Sequence, residues 1–142
     1  YAGCGRSEGA FEAQSLASWR DDALAMIDLV KGPVVLIGSS MGGWLMLLVG
    51  VALGERLKGM IGIAPAPDFT DWGFTEAQKA TIARDGVLYE DNPYGPEPTP
   101  TWRGLFDDGV ANKVSRDSIA ITSPVRLLHG QNDRDPDVCH NA

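Results

Sequence analysis

Apolar residues change their spacing along the chain, and each change predicts an element. Residues 1–14 are glycine-rich and carry no period, so they read as loop. Trp19, Ala23, Met26, Ile27 and Val30 then fall at i, i+4, i+7, i+8 and i+11, one face of a helix. Ser18 is the expected cap, with Asp21 and Asp22 favouring the positive helix start, and Gly32 ends the run. Val34-Val35-Leu36-Ile37 is short, continuous, apolar and partly β-branched. Without polar alternation it predicts a strand covered on both faces, as in a parallel sheet. Residues 38–43 read as a turn, and Trp44 to Leu53 as a buried helix, too short to span a membrane.

Met60 to Ala64 predicts a second strand, and Val125 to Leu128 a third. Strand, helix, strand, long excursion and strand imply an α/β fold, a parallel sheet flanked by helices. Residues 65–123 are more than a crossover needs. They predict two helices: one capped by Thr75 with Gln78, running to about Arg84, the other capped by Thr99 with Pro100 in its first turn. Tyr89, Tyr94, Trp102, Leu105 and Phe106 are too apolar for a solvated linker, so this stretch reads as an inserted helical cap.

Composition narrows the chemistry. The 142 residues hold 12 basic and 19 acidic side chains, a net charge of −7, and no basic run, which argues against a nucleic-acid partner. Two cysteines are too few for a disulfide scaffold, and no signal-peptide pattern opens the chain. The expected setting is therefore cytoplasm or an organelle matrix. Tyr1 stands where an initiator Met is expected, so the chain is not expected to begin where its gene does. Cys139 and His140 are adjacent, which is not a metal-ligand spacing, and no cofactor or metal is expected.

Gly38-Ser39-Ser40-Met41-Gly42 fits G-x-S-x-G between a predicted strand and a predicted helix. That context forces a serine hydroxyl out of a strained turn. Gly38 and Gly42 are expected to remove colliding Cβ atoms, while the Met41 N–H faces a developing oxyanion. A phosphate-binding or plain strand–helix turn is the competing reading. No G-K-[ST] follows, which excludes a Walker loop. A serine nucleophile needs a histidine and an acid to orient it. Asp133, three residues past Gly130, is the candidate acid, with Asp135, Asp137 and Asp68 as competitors. His129 precedes the acid and reads as a packing residue. His140 follows Asp133 too closely for an easy return to Ser40, so the base is expected beyond residue 142.

These residues resemble the α/β-hydrolase family. Gly3-Cys4-Gly5-Arg6-Ser7-Glu8-Gly9 is similar to the G-x-G-x-S-x-G loop of many members, with Cys4 where His is frequent. The stretches Tyr1–Phe11, Gly38–Trp44, Ile63–Phe69 and Pro124–Gly130 resemble the branch of palmitoyl-protein thioesterases and acyl-glucuronide esterases with their bacterial relatives. Members carry further strands before the loop at Tyr1 and a histidine segment after the acid. The resemblance thus implies residues 1–142 as part of one hydrolase domain, without its N-terminal strands or its catalytic His.

What it implies in function is a serine hydrolase acting on a small-molecule ester or thioester through an acyl-enzyme on Ser40. Asp133 would orient the His, the Met41 N–H would serve the oxyanion, and Trp72, Phe74, Tyr89 and Trp102 would shape an acyl pocket. A serine peptidase of the same fold and a catalytically inactive fragment are the alternatives.

Overall fold

The computed structural model describes residues 1–92, 95–116 and 118–131. In chain order the elements are α1 (Leu16–Asp28), β1 (Val34–Ser39), α2 (Met41–Leu53), β2 (Leu57–Ile63), α3 (Phe69–Trp72), α4 (Glu76–Asp85), β3 (Val87–Glu90), β4 (Thr99–Trp102), α5 (Arg103–Ala111) and β5 (Val125–Leu128). Strands β1, β2 and β5 form a parallel sheet in that spatial order, and β3 pairs with β4 in a separate antiparallel ribbon.

Helix α1 starts three residues before the sequence expectation. Ser15 is its cap, accepting from the Ser18 N–H, while the Ser18 hydroxyl accepts from the Ser15 N–H. Ser18 is therefore the reciprocal partner in a capping box, and the earlier start buries Leu16 beside Trp19. Ala23 and Ile27 pack inward as their spacing predicts, but Met26 and Val30 are exposed. While β1 runs on through Ser39, helix α2 begins at Met41 and takes the second half of the expected turn. It is apolar nearly all round and lies against the sheet, with Met46, Val49 and Leu53 packed on Leu57 and Met60. A Cβ on Gly50 would stand 3.2 Å from the Met60 thioether, so helix and strand approach closely there.

The sheet is not covered as the apolar run predicted. Leu36 and Met60 face α2, whereas Val35 (60 % exposed), Ile37 (68 %), Ile63 (44 %) and Leu128 (56 %) are left open. Among the described residues, helices lie on one face only. Unbroken apolarity in β1 is thus no measure of how many faces are covered among the described residues.

The excursion between β2 and β5 is folded. Thr75 and Gln78 form the expected capping box for α4, and Gly86 closes the helix in the left-handed region at φ 80°. The second expected start is overturned. Thr99 and Pro100 sit in β4, where Pro100 opposes Tyr89, and α5 begins at Arg103 without a side-chain cap. An edge ribbon tolerates a proline that lacks a donor, so the cap-plus-proline pattern is satisfied by a strand instead. The glycine-rich start is also ordered: the Ala2 N–H donates to Asp22 at 2.7 Å, and Trp19 Nε1 donates to the Ala2 carbonyl at 2.9 Å.

An exposed apolar sheet face promotes association. The 142-residue chain expressed alone is expected to bind an apolar fluorescent dye and to self-associate in light scattering. Ile37→Lys should reduce both. A dye-free monomer would contradict this reading of the face.

Candidate active site

The site is built on the turn from β1 to α2. Ser40 occupies φ 51°, ψ −127°, a region costly for any residue with a side chain. Backbone bonds hold it there. The Ser40 N–H donates to the Ile63 carbonyl at 3.1 Å, and the Ser40 carbonyl accepts from Gly43 at 2.8 Å and Ala66 at 3.1 Å. The end of β2 thus grips the turn from both sides.

Serine at a helix cap ordinarily folds its hydroxyl onto the first turn. Here the backbone turns the side chain away, and Ser40 makes no such capping bond. The hydroxyl is exposed, and among the described residues the N–H of Met41, first in α2, has no acceptor. A serine hydroxyl and a helix-start N–H therefore stand side by side.

Two glycines make the turn possible, and one is not the expected residue. A Cβ on Gly38 would lie 2.3 Å from the Gly42 carbonyl oxygen. A Cβ on Gly43 would lie 2.4 Å from the Pro65 Cβ. Gly42 itself faces open space among the described residues. The need for glycine thus falls on Gly38 and Gly43.

Ser40 and Met41 open into a cavity of about 450 Å³, within the usual range for small-molecule sites. Phe11, Phe69, Trp72, Phe74 and Leu105 give it an apolar wall, while Glu90, Thr99 and Thr101 come from the ribbon. Trp72 and Phe74 line it as expected. Tyr89 and Trp102 do not; they pack against each other with centroids 6.3 Å apart. Phe11, Glu90, Thr99, Pro100 and Thr101 are not expected at the cavity from the sequence, because nothing in their local pattern says that loop, ribbon and turn converge.

Asp68 is 3 % exposed in the left-handed region at φ 54°. Its carboxylate accepts from the Val114 N–H at 2.9 Å, from the Ser115 N–H at 2.8 Å and from the Ser115 hydroxyl. With both oxygens so engaged, it ties the end of the excursion to its beginning. His129 directly follows β5, is half-buried and does not line the cavity. Asp133, Asp135, Asp137 and His140 lie outside the described residues. Among those described, no cluster of three or more His, Cys, Asp or Glu could hold a metal, and no helix is long and apolar enough to cross a membrane.

A parallel sheet, a strained serine between strand and helix, and an apolar cavity over that serine define an α/β-hydrolase arrangement. The alpha/beta hydrolase family model matches residues 1–139, and the chain belongs to that family. The human mitochondrial palmitoyl-protein thioesterase ABHD10 is 35 % identical over 138 residues, covering 94 % of this chain and 45 % of that protein. The rat counterpart is 37 % identical over 139 residues, covering 94 % and 46 %. The chain thus spans about half the length of the curated relatives it matches.

Among solved structures, mouse alpha/beta hydrolase domain-containing protein 10 superposes with a TM-score of 0.81 at 31 % identity, covering 94 % of this chain and 56 % of that one. A putative hydrolase from Agrobacterium vitis S4 gives 0.76 at 28 % identity, covering 99 % and 70 %.

Two substitutions test the site's construction. Gly38→Ala should cost about 3 kcal/mol or more, since backbone must move, whereas Gly42→Ala should stay within about 1 kcal/mol. Urea midpoints separate the two, and equal midpoints would refute the assignment. Asp68→Ala should cost about 2 kcal/mol and open the segment around residues 112–116 to proteolysis, because three donors lose their acceptor.

Proposed function

We propose that the protein to which this chain belongs is a serine hydrolase that cleaves carboxylic esters or thioesters through an acyl-enzyme on Ser40. The observation that carries the reading is the Ser40 turn: a hydroxyl held out of its own helix cap, beside the Met41 N–H, at the floor of an apolar cavity.

The steps follow from that placement. The Ser40 oxygen attacks the acyl carbon while a histidine takes its proton, and the Met41 N–H donates to the developing oxyanion. The leaving alcohol or thiol departs with that proton. Water then attacks the acyl-enzyme and frees the acid. Asp133, past the end of β5, orients the histidine in this reading, and the histidine itself lies outside these 142 residues. The excursion between β2 and β5 serves as the cap, and its aromatic wall takes an apolar acyl chain. Relatives named as palmitoyl-protein thioesterases support a thioester of a long acyl chain as the first substrate to try. Their mitochondrial designation makes an organelle matrix the setting in which to look for it.

A fluorophosphonate probe should label the whole protein at Ser40. Ser40→Ala should abolish labelling and lower kcat for an acyl ester by roughly 10⁴ to 10⁶. Full turnover in that variant would overturn the proposal. The 142-residue chain alone should show negligible turnover, because no histidine lines its cavity among the described residues. Robust hydrolysis by that chain, lost on His140→Ala, would instead assign the base to His140.

A further inference from the structure

The cavity wall holds a hydroxyl with nothing to bond. Thr101, on β4, is 8 % exposed and lines the cavity, and among the described residues its hydroxyl has no hydrogen-bond partner. Thr70 also carries an orphaned hydroxyl, but that one is sealed inside the protein. The Thr101 hydroxyl still reaches open space, and the cavity is the space that Thr101 borders. The ribbon sets its place: Thr101 pairs with Leu88, and Thr99, two residues before it, pairs with Glu90. Thr99 and Glu90 line the same cavity. Gln78 Oε1 accepts from the Thr75 N–H at 2.8 Å, which fixes the rotation of the amide, and Gln78 Nε2 donates to Glu90 Oε1 at 2.9 Å. The ribbon therefore presents two hydroxyls and a carboxylate as a polar wall beside the aromatic one.

A wholly hydrocarbon ligand would press methylenes onto the Thr101 hydroxyl and bury it unpaired, which costs free energy. A ligand group that bonds there removes that cost. A hydroxyl suits this wall best. It can donate to or accept from Thr101 and Thr99, and it can donate to the Glu90 carboxylate, which only accepts. We propose that Thr101 is a specificity-determining residue, and that the preferred substrate carries a neutral hydroxyl on the part that rests against the ribbon. The inference rests on the serine hydrolase reading above and adds to it a chemical feature of the substrate. That hydroxyl has two sources, the acyl chain and the leaving group, and the test separates them.

The test uses the whole protein and propyl dodecanoate as the plain reference. One arm moves a hydroxyl along the acyl chain in a series of propyl hydroxydodecanoates. The other keeps dodecanoic acid and places the hydroxyl on the alcohol, as in hydroxypropyl dodecanoate. One arm should contain an ester that exceeds the reference in kcat/KM by about tenfold, the size of one neutral hydrogen bond, mainly through KM. A gain in the acyl arm sets the ribbon against the acyl chain, and a gain in the alcohol arm sets it against the leaving group. Thr101→Val, which keeps the shape and removes the hydroxyl, should bring that ratio to about one. It should also leave the urea midpoint of the ligand-free protein unchanged or raised, because the hydroxyl it removes has no partner to lose.

No gain in either arm, or a gain that survives Thr101→Val, overturns the role of Thr101; with Ser40 still labelled by fluorophosphonate, the serine hydrolase reading stands. A lowered urea midpoint in Thr101→Val also overturns that role, since it marks the hydroxyl as structural. Turnover of all the esters that survives Ser40→Ala overturns both readings.

Discussion

Backbone approaches backbone where β1 turns into α2, and the rest of the structure depends on that contact. Gly38 lies under the Gly42 carbonyl, and Gly43 lies against Pro65. Only residues without Cβ atoms permit it. The close approach lets α2 start directly above the sheet, so that Trp44 and Leu45 enter the core together with Leu16 and Trp19. It also leaves Ser40 in a conformation that no local preference favours. Three backbone hydrogen bonds from Ser40 to residues 43, 63 and 66 offset the strain. Sheet, core and serine are therefore one construction.

The excursion is joined to that construction through aromatic rings and one buried carboxylate. Trp44 meets Phe69 edge-on with centroids 5.5 Å apart, Phe69 meets Phe74 at 5.9 Å, and Phe74 meets Phe106 at 5.6 Å. This row runs from α2 through α3 to α5. Gly109 on α5 gives room for the Trp44 ring, since a Cβ there would stand 3.0 Å from it. Asp68 closes the circuit by holding residues 114 and 115, and Lys113 pairs with Asp71 beside it. A buried carboxylate with three donors is costly to assemble halfway, which favours all-or-none formation of this region.

Much of this was legible in the sequence. Val125–Leu128 is a strand with the expected bounds, and Thr75 caps α4 as its pattern says, because in both the signal is local chemistry. The G-x-S-x-G string located the strained serine for the same reason. The failures have a common cause. Thr99-Pro100 carries a helix-start signature, yet pairing with β3 made it a strand, and that pairing is decided by Glu90 and Tyr89, nine and eleven positions away. Gly42 looked as necessary as Gly38, but necessity depends on what lies above each glycine in space. Glu90 and Phe11 could not be assigned to the cavity at all, since each reaches it through tertiary contacts.

The cavity has no local owner. Phe11 comes from the loop before α1, Ser40 from the turn after β1, Phe69 and Trp72 from α3, and Thr99 to Thr101 from β4. Whatever fills that space touches segments separated by most of the chain, and it can do so only when all of them are folded together. Occupancy is therefore thermodynamically linked to the whole assembly. A ligand that binds only the assembled state raises the stability of sheet and excursion as a single unit, in proportion to the logarithm of its concentration above its dissociation constant. An occupied cavity is braced from within, and the empty form is the one most open to local unfolding.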